Sequence, residues 1–362
     1  MISEDTIRKR LAVECDNYDK TVQALKAVAN ELLWDDGKRA MVPNGSAYFG
    51  RRMSTSKANR ITVSGHVTPD LVIRRDGKYG AITEAKITLP RDEGQRAKDL
   101  IDLQKYDDDL VGWDTPDERL AAHDLILIVD HFIGRAVRSH INDLQKKGIF
   151  APTRAFALVT FAVLQRATEE VISLDLLEGR LSDETKQMKM AQQPLAIPLS
   201  YVVANPKFAH IQLYDHRPPP PILMNLIHEI INRQLTKEER RELAEKNEVR
   251  KAVNIGLLRH ELAKGFGPGD KGKRVPEIPR AAWVREAMDL FRRLGWVTAV
   301  ENERDAYTYV FKRRRDPLRQ LRAVCVKQLL KRARRNERQR EKENKSLPLF
   351  RSQVQEEREE DL

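Results

Sequence analysis

Residues 69–86 gather the chain's most reactive combination of side chains. Pro69-Asp70 opens an apolar run through Leu71, Val72 and Ile73, an Asp76-Gly77 turn follows, and a second apolar run ends in Glu84-Ala85-Lys86. Two carboxylates and an ammonium on the arms of one β-hairpin are the layout of a cation site with an adjacent positive charge. Side chains alternate along a strand, so Glu84 and Lys86 share a face and Ala85 points away. Whether Asp70 joins them depends on the turn. A two-residue Asp76-Gly77 loop pairs Arg75 with Lys78 and sets Asp70 opposite Thr83, on the wrong face. A three-residue loop, Arg75-Asp76-Gly77 with Gly77 left-handed, pairs Arg74 with Lys78 instead. Asp70 then lies opposite Ile82 and diagonal to Glu84, about 7–8 Å away. The expectation is therefore the odd loop, or a compensating bulge.

The surrounding pattern supplies elements to hold such a hairpin. Residues 4–34 read as a helix, with Leu11, Tyr18, Val22, Leu25, Ala29 and Leu32 at helical spacing. Residues 35–58 read as polar and irregular, with a basic cluster of Arg51, Arg52, Lys57 and Arg60 close by. Three β-like runs follow at 60–64, 70–74 and 79–87. A helix is expected over 92–111, a buried strand over 125–129 and a helix over 133–147. Further β-like runs at 154–176 and 194–214 either extend the same sheet or form an insert.

The spaced Asp70, Glu84 and Lys86, within this α-β-β-β-α-β-α order, resemble the PD-(D/E)xK motif of the restriction-endonuclease-like nuclease superfamily. The resemblance implies an α/β fold: an αβββαβ core with a mixed central sheet flanked by helices. It implies phosphodiester hydrolysis with Mg²⁺, for which Mn²⁺ substitutes. Asp70 and Glu84 would be metal ligands with the Ala85 carbonyl as a third, and Lys86 would orient the attacking water or neutralise the phosphate. The superfamily often takes a further acid from its first helix. Glu14 is the candidate, in register with Leu11, Tyr18 and Val22, and Glu31 is its rival on a more mixed face. Some members carry a Gln and a Tyr on the helix after the motif. Gln104 is the candidate here and Gln95 the weaker one, and Tyr106 lies too close to Gln104 to share its face. His66 reads as a loop residue. Arg51, Arg52 and Lys57 read as a solvated loop or as a grip on a nucleic-acid backbone.

The charge balance divides the chain. Residues 1–216 carry 30 Lys+Arg and 31 Asp+Glu, whereas residues 217–362 carry 35 and 23, so the whole excess behind the net charge of +11 lies in the C-terminal part. Such an excess attracts polyanions, nucleic acid above all. Pro218-Pro219-Pro220-Pro221 marks a boundary as a stiff segment. Beyond it, helices at 222–232, 236–262 and 281–294 precede a hairpin of 296–300 and 306–312, and the hairpin ends in Lys312-Arg313-Arg314-Arg315. This resembles a winged-helix domain. A basic helix or arm over 317–345 and an acidic tail complete the chain. The expected organisation is a nuclease core over 1–150, a β-rich extension or insert over 151–216, a winged-helix-like DNA-binding domain over 217–316 and the arm and tail over 317–362.

Cys15 and Cys325 are the only cysteines, too few for a disulfide framework or a Cys-based zinc site, and they fit a reducing cytoplasm. No apolar run reaches the length of a membrane span, and the first residues have no apolar signal core. The expected function is a metal-dependent DNA endonuclease, in restriction or anti-phage defence by superfamily likeness. DNA is the expected partner, without a membrane, and a partner protein or homo-oligomer stays open. Two rivals remain at this level: a transposon-end-cleaving nuclease subunit that works with a transposase, and a non-catalytic DNA-binding regulator on a nuclease-like scaffold.

Overall fold

The computed structural model describes residues 3–33, 45–55, 65–75, 77–90, 92–115, 117–166, 169–182, 194–198, 217–263, 279–312 and 317–346. They form two compact units. The sheet unit comprises residues 17–218 and 254–284; the basic unit comprises 1–16, 219–253 and 285–362. Helix α1 (Glu4–Leu33) contributes to both.

The sheet unit is α/β. Its elements in order are β1 (Gly45–Phe49), β2 (Met53–Thr55), β3 (His66–Val67), β4 (Leu71–Arg75), β5 (Tyr79–Lys86), α2 (Glu93–Ile101), a 3₁₀ turn (Asp102–Tyr106), β6 (Leu110–Val111), β7 (Ala122–Asp130), α3 (His131–Lys146), β8 (Phe156–Gln165), β9 (Glu170–Gly179) and β10 (Leu195–Pro198). Seven strands form one mixed sheet in the order β1-β4-β5-β7-β8-β9-β10. The pairs β5–β7 and β7–β8 are parallel and the remaining neighbours antiparallel. Strands β8, β9 and β10 belong to this sheet, and residues 199–214 of the second expected run lie outside the described residues. The strand expected at 60–64 lies outside the described residues, as do Lys57 and Arg60. Instead β1 pairs with β4, and β1 and β2 fall in the stretch expected to be irregular. That stretch has too few apolar residues in a row to reveal a strand by alternation.

Both sheet faces are buried, and one of them carries the cluster that adjoins the site. Val72, Ile82, Leu125, Leu127, Val129, Phe156 and Leu158 are buried there with Leu100, Leu103 and Tyr106 from α2 and the 3₁₀ turn and Val137, Ile141 and Leu144 from α3. The helix expected over 92–111 is in fact short. Asp92 caps it by accepting the Gln95 N–H, α2 ends at Ile101, and the chain tightens into the 3₁₀ turn. This change of period delivers Tyr106 to the core.

The basic unit contains α4 (Pro220–Arg233), α5 (Lys237–Lys246) and β11 (Glu248–Asn254). The chain continues through α6 (Ile255–Ala263) and α7 (Ala281–Arg293), then β12 (Val297–Ala299), β13 (Ala306–Lys312) and α8 (Pro317–Ser346). Strands β11, β13 and β12 form a separate three-stranded sheet in that order, as β3, β2 and β6 do within the sheet unit. The prolines open α4 rather than a long polyproline rod: Pro219 is its N-cap and Pro220-Pro221 occupy the first turn, where a missing N–H costs nothing. The expected helix over 236–262 is broken. Asn247 adopts φ 56° and ends α5, and β11 follows with Val249 and Val253 buried. A spacing of four fits both a helix and every second residue of a strand, so the periodicity did not discriminate. Among the described residues no helix is long and apolar enough to cross a membrane.

Candidate functional site

The hairpin turn sets the site. Arg75 pairs with Tyr79, Arg74 with Gly80, Ile73 with Ala81, Val72 with Ile82 and Leu71 with Thr83, so the loop has three residues. Gly77 within it is left-handed at φ 65°, and the Lys78 N–H donates to the Arg75 carbonyl at 3.2 Å. The loop is odd, but it spans 76–78 rather than 75–77. Continuing the register by one step puts Asp70 directly opposite Glu84, not opposite Ile82. A two-step shift leaves every side chain on its face, so alternation alone does not choose between the two registers. The observed one also lays the Arg75 guanidinium over the Tyr79 ring, 5.3 Å from its centroid.

Asp70, Glu84 and Lys86 therefore lie on the face that packs against α2, the 3₁₀ turn and α3, continuing the rows of Val72 and Ile82 to the rim of the sheet. Asp70 is buried, and its Oδ2 accepts the Ala85 N–H at 2.9 Å. Its carbonyl accepts the Gly50 N–H at 3.0 Å, which fixes the backbone as well. A strand residue sends its N–H and C=O toward the same neighbour, so the Ala85 carbonyl also faces the Asp70 side. Glu84 and Lys86 are half-buried. Lys86 makes no ion pair with a carboxylate among the described residues.

Tyr106 completes the cluster. Its hydroxyl donates to Glu84 Oε1 and lies 3.3 Å from the Thr68 carbonyl oxygen, two residues before Asp70. One phenol thus spans both arms of the hairpin. Its own backbone carbonyl is held by His123 Nε2 at 2.8 Å. That imidazole is buried beside Trp113, with ring centroids 5.3 Å apart. Burial pushes its pKa down to about 4, so it is neutral at pH 7 and donates Nε2–H to the carbonyl. Ile82, Leu103, Leu125, Leu127 and Phe156 form an apolar floor beneath Glu84 and Tyr106. On a regular helix Tyr106 would not share a face with Gln104. The 3₁₀ turn explains the outcome: Gln104 turns away and donates to the Ile149 carbonyl at 2.9 Å, and Tyr106 alone faces the site.

Other expected residues lie elsewhere. Glu14 is exposed and pairs with Arg10 at 2.9 Å, one turn back on α1. The buried stripe of that helix runs Ile7, Leu11, Cys15, Tyr18, Val22 and Leu25, stepping by four where Glu14 required three. Glu14 therefore does not have the buried position expected of a site acid, and Glu31 is half-buried. Gln95 bonds Asp99 at 2.6 Å on exposed α2. Arg51 is buried: Nε donates to the Gly112 carbonyl, another nitrogen reaches the Asp114 carbonyl at 3.2 Å, and the guanidinium sits over Tyr48. It holds a loop and is not available to a backbone phosphate. Arg52 is exposed. His66 Nδ1 lies 3.2 Å from Ser54 Oγ across the β2–β3 pair.

Among the described residues no group of three or more His, Cys, Asp or Glu side chains is placed to hold a metal. The donor set at the hairpin is smaller: two carboxylates and a carbonyl. Carboxylates directly opposite each other repel, and a cation between them relieves that repulsion. Hard oxygen donors in this number suit Mg²⁺, which keeps waters and completes its shell with substrate phosphate. This donor set therefore fits the Mg²⁺ that the resemblance implies. Comparison with family models, curated proteins and solved structures finds no match for this chain.

Proposed function

We propose that the protein is a Mg²⁺-dependent DNA endonuclease with the PD-(D/E)xK arrangement, and that Asp70, Glu84 and the Ala85 carbonyl hold the metal. The observation that carries this reading is the hairpin register, which sets Asp70 opposite Glu84 with Lys86 two residues on along the same face. When bound, the cation would polarise the phosphate and lower the pKa of a water. The chain's own residues prepare the rest. The Ala85 N–H aims the Asp70 carboxylate, and Tyr106 fixes the Glu84 rotamer. Lys86 places an ammonium where charge builds on the phosphate or beside the attacking water. In the hydrolysis a water oxygen bonds to phosphorus as a P–O ester bond breaks; the water gives up a proton and the departing alkoxide takes one.

The basic unit supports delivery of DNA. Lys327, Lys331, Arg334, Arg335 and Arg338 of α8 line one open groove, all exposed, and none pairs with a carboxylate among the described residues. Such a stripe follows a phosphate backbone without reading sequence. Helix α7 running into the β12–β13 hairpin supports a winged-helix-like reader. By likeness to the superfamily alone, restriction or anti-phage defence is the setting we attach to it.

The test is cleavage of supercoiled DNA with and without Mg²⁺ or Mn²⁺, alongside Asp70→Ala and Lys86→Ala. The expected result is cation-dependent nicking or linearisation by the wild type, with both variants slower by at least about 10²-fold. Variants that cut like the wild type would overturn the site assignment.

A further inference from the structure

The first turn of α3 carries an exposed aromatic ring at the same end of the sheet as Lys86. Phe132 is 93% exposed, while Val13 at 58% is the next most exposed large apolar side chain among the described residues. A phenyl ring left in water contributes nothing to folding. The backbone beneath it is nonetheless firmly placed. Asp130 caps α3 by accepting the Phe132 N–H at 2.9 Å. Gly134 lets the turn press onto β8, where an added Cβ would come within 2.5 Å of Thr160 Cγ2. The His131 ring lies edge-on to Phe132, with centroids 6.3 Å apart. Arg135, one turn along, is exposed and pairs with no carboxylate among the described residues.

The strand register fixes where this group sits. β5 and β7 are parallel, with Lys86 opposite Val129, so both strands run out at one end of the sheet. Phe132 is three residues past Val129, at most about 10 Å of chain. Adding a strand spacing of about 4.8 Å keeps its Cα within about 15 Å of the Lys86 Cα, a few nucleotides along a strand. Ligands of open α/β sheets bind outside the carboxyl ends of their parallel strands.

We propose that Phe132, flanked by His131 and Arg135, is a stacking platform for an unpaired base of the DNA whose phosphate meets Asp70, Glu84 and Lys86. The inference rests on the nuclease reading and gives it a substrate class: DNA with single-stranded character, such as a fork, flap or gap. In intact duplex the base faces are already covered by their neighbours, whereas an exposed ring beside a cation accepts any unpaired base.

The test uses the full chain with Phe132→Ala and Phe132→Trp, both at a solvent-exposed position. Fluorescence of 2-aminopurine in a single-stranded oligonucleotide and in a duplex is followed in EDTA, so that ring contact is read apart from cleavage. Cutting of forked and fully paired DNA is then measured with Mg²⁺ and with Mn²⁺. Quenching in the single strand is expected for wild type and Phe132→Trp and is lost in Phe132→Ala. Single-strand binding falls about 5- to 150-fold in Phe132→Ala, duplex binding is unchanged, and the preference for forked over paired DNA collapses. If Phe132→Ala quenches, binds and selects like the wild type, the platform is overturned and the ring is left for another role, such as contact with a protein. If quenching depends on Phe132 but no DNA is cut with either cation, the platform stands and the nuclease reading fails.

Discussion

The two ends of the β4–β5 hairpin use acids in opposite ways. At the turn end, Asp124 is fully buried and accepts the Ser182 N–H, the Ser182 hydroxyl and the Tyr79 hydroxyl at 2.5–2.9 Å. Glu118 nearby takes Arg74 through Nε and a terminal nitrogen at 2.8–2.9 Å, and accepts the Asp114 N–H as well. These carboxylates are fully engaged in joining loops to strands. At the rim, half-buried Glu84 is held by one phenol, and Lys86 is half-buried with no ion pair among the described residues. A carboxylate saturated with protein donors is a structural joint. One held by a single donor beside an unpaired ammonium retains capacity for a ligand. Each end has two acids, and the degree of satisfaction separates them.

The sharpest way to break this contrast is to exchange readouts between the ends. Glu84→Gln should lower DNA cleavage by about 10²–10³-fold or more while leaving unfolding free energy within about 1 kcal/mol of wild type, measured by cleavage rates and urea titration. Asp124→Ala should do the reverse. It leaves three donors without their acceptor and should cost about 3–5 kcal/mol of stability, and in protein that remains folded the cleavage rate should stay near wild type. A Glu84 variant that unfolds, or an Asp124 variant that folds normally but does not cut, would erase the distinction.

His123 gives a third, pH-dependent measure of the turn half, where it pairs in register with Gly80. Its folded pKa of about 4 lies below the ordinary 6.5, so between those values the unfolded chain binds the extra proton. Stability contributed by the neutral ring is present above about pH 6.5 and is lost as pH falls toward 4, by up to roughly 3 kcal/mol. Denaturant midpoints across this range should show the slope in the wild type and a flatter one in His123→Gln. Tyr106→Phe is milder. It removes only the hydroxyl that spans the two arms, and cleavage should fall about 10- to 100-fold, with metal affinity weakened alongside, as for other residues that orient a ligand. The smallest single effect is expected in α8. Lys331→Ala should weaken DNA binding similarly for all sequences and reduce the slope of log affinity against log salt by about 1.

Much of the candidate site was legible because strand alternation is local. Glu84, Ala85 and Lys86 take their faces from the chain itself, and the need for an odd loop followed from Asp70 alone. The loop's placement was not legible. The registers that set Asp70 opposite Ile82 or opposite Glu84 bury the same residues, and the contacts that distinguish them, such as Arg75 on Tyr79, form only once the turn has closed. Glu14 shows the same limit on a helix: apolar residues three and four apart both fit a helical face, and only the packed core reveals that the stripe passes through Cys15.

Local patterning alone gives the alternation of the hairpin, the shared face of Glu84 and Lys86, the α/β succession and the concentration of positive charge beyond residue 216. Each depends on neighbours within a few positions or on simple counting. Which distant groups meet is set by the folded sheet unit: Asp70 opposite Glu84, Tyr106 across both arms, His123 behind Tyr106, and Phe132 at the strand ends near Lys86. Those meetings depend on register between strands and on a helix tightening into a 3₁₀ turn. Both are chosen by the packing of the whole sheet unit, where alternatives of equal local quality differ only in the long-range contacts they permit.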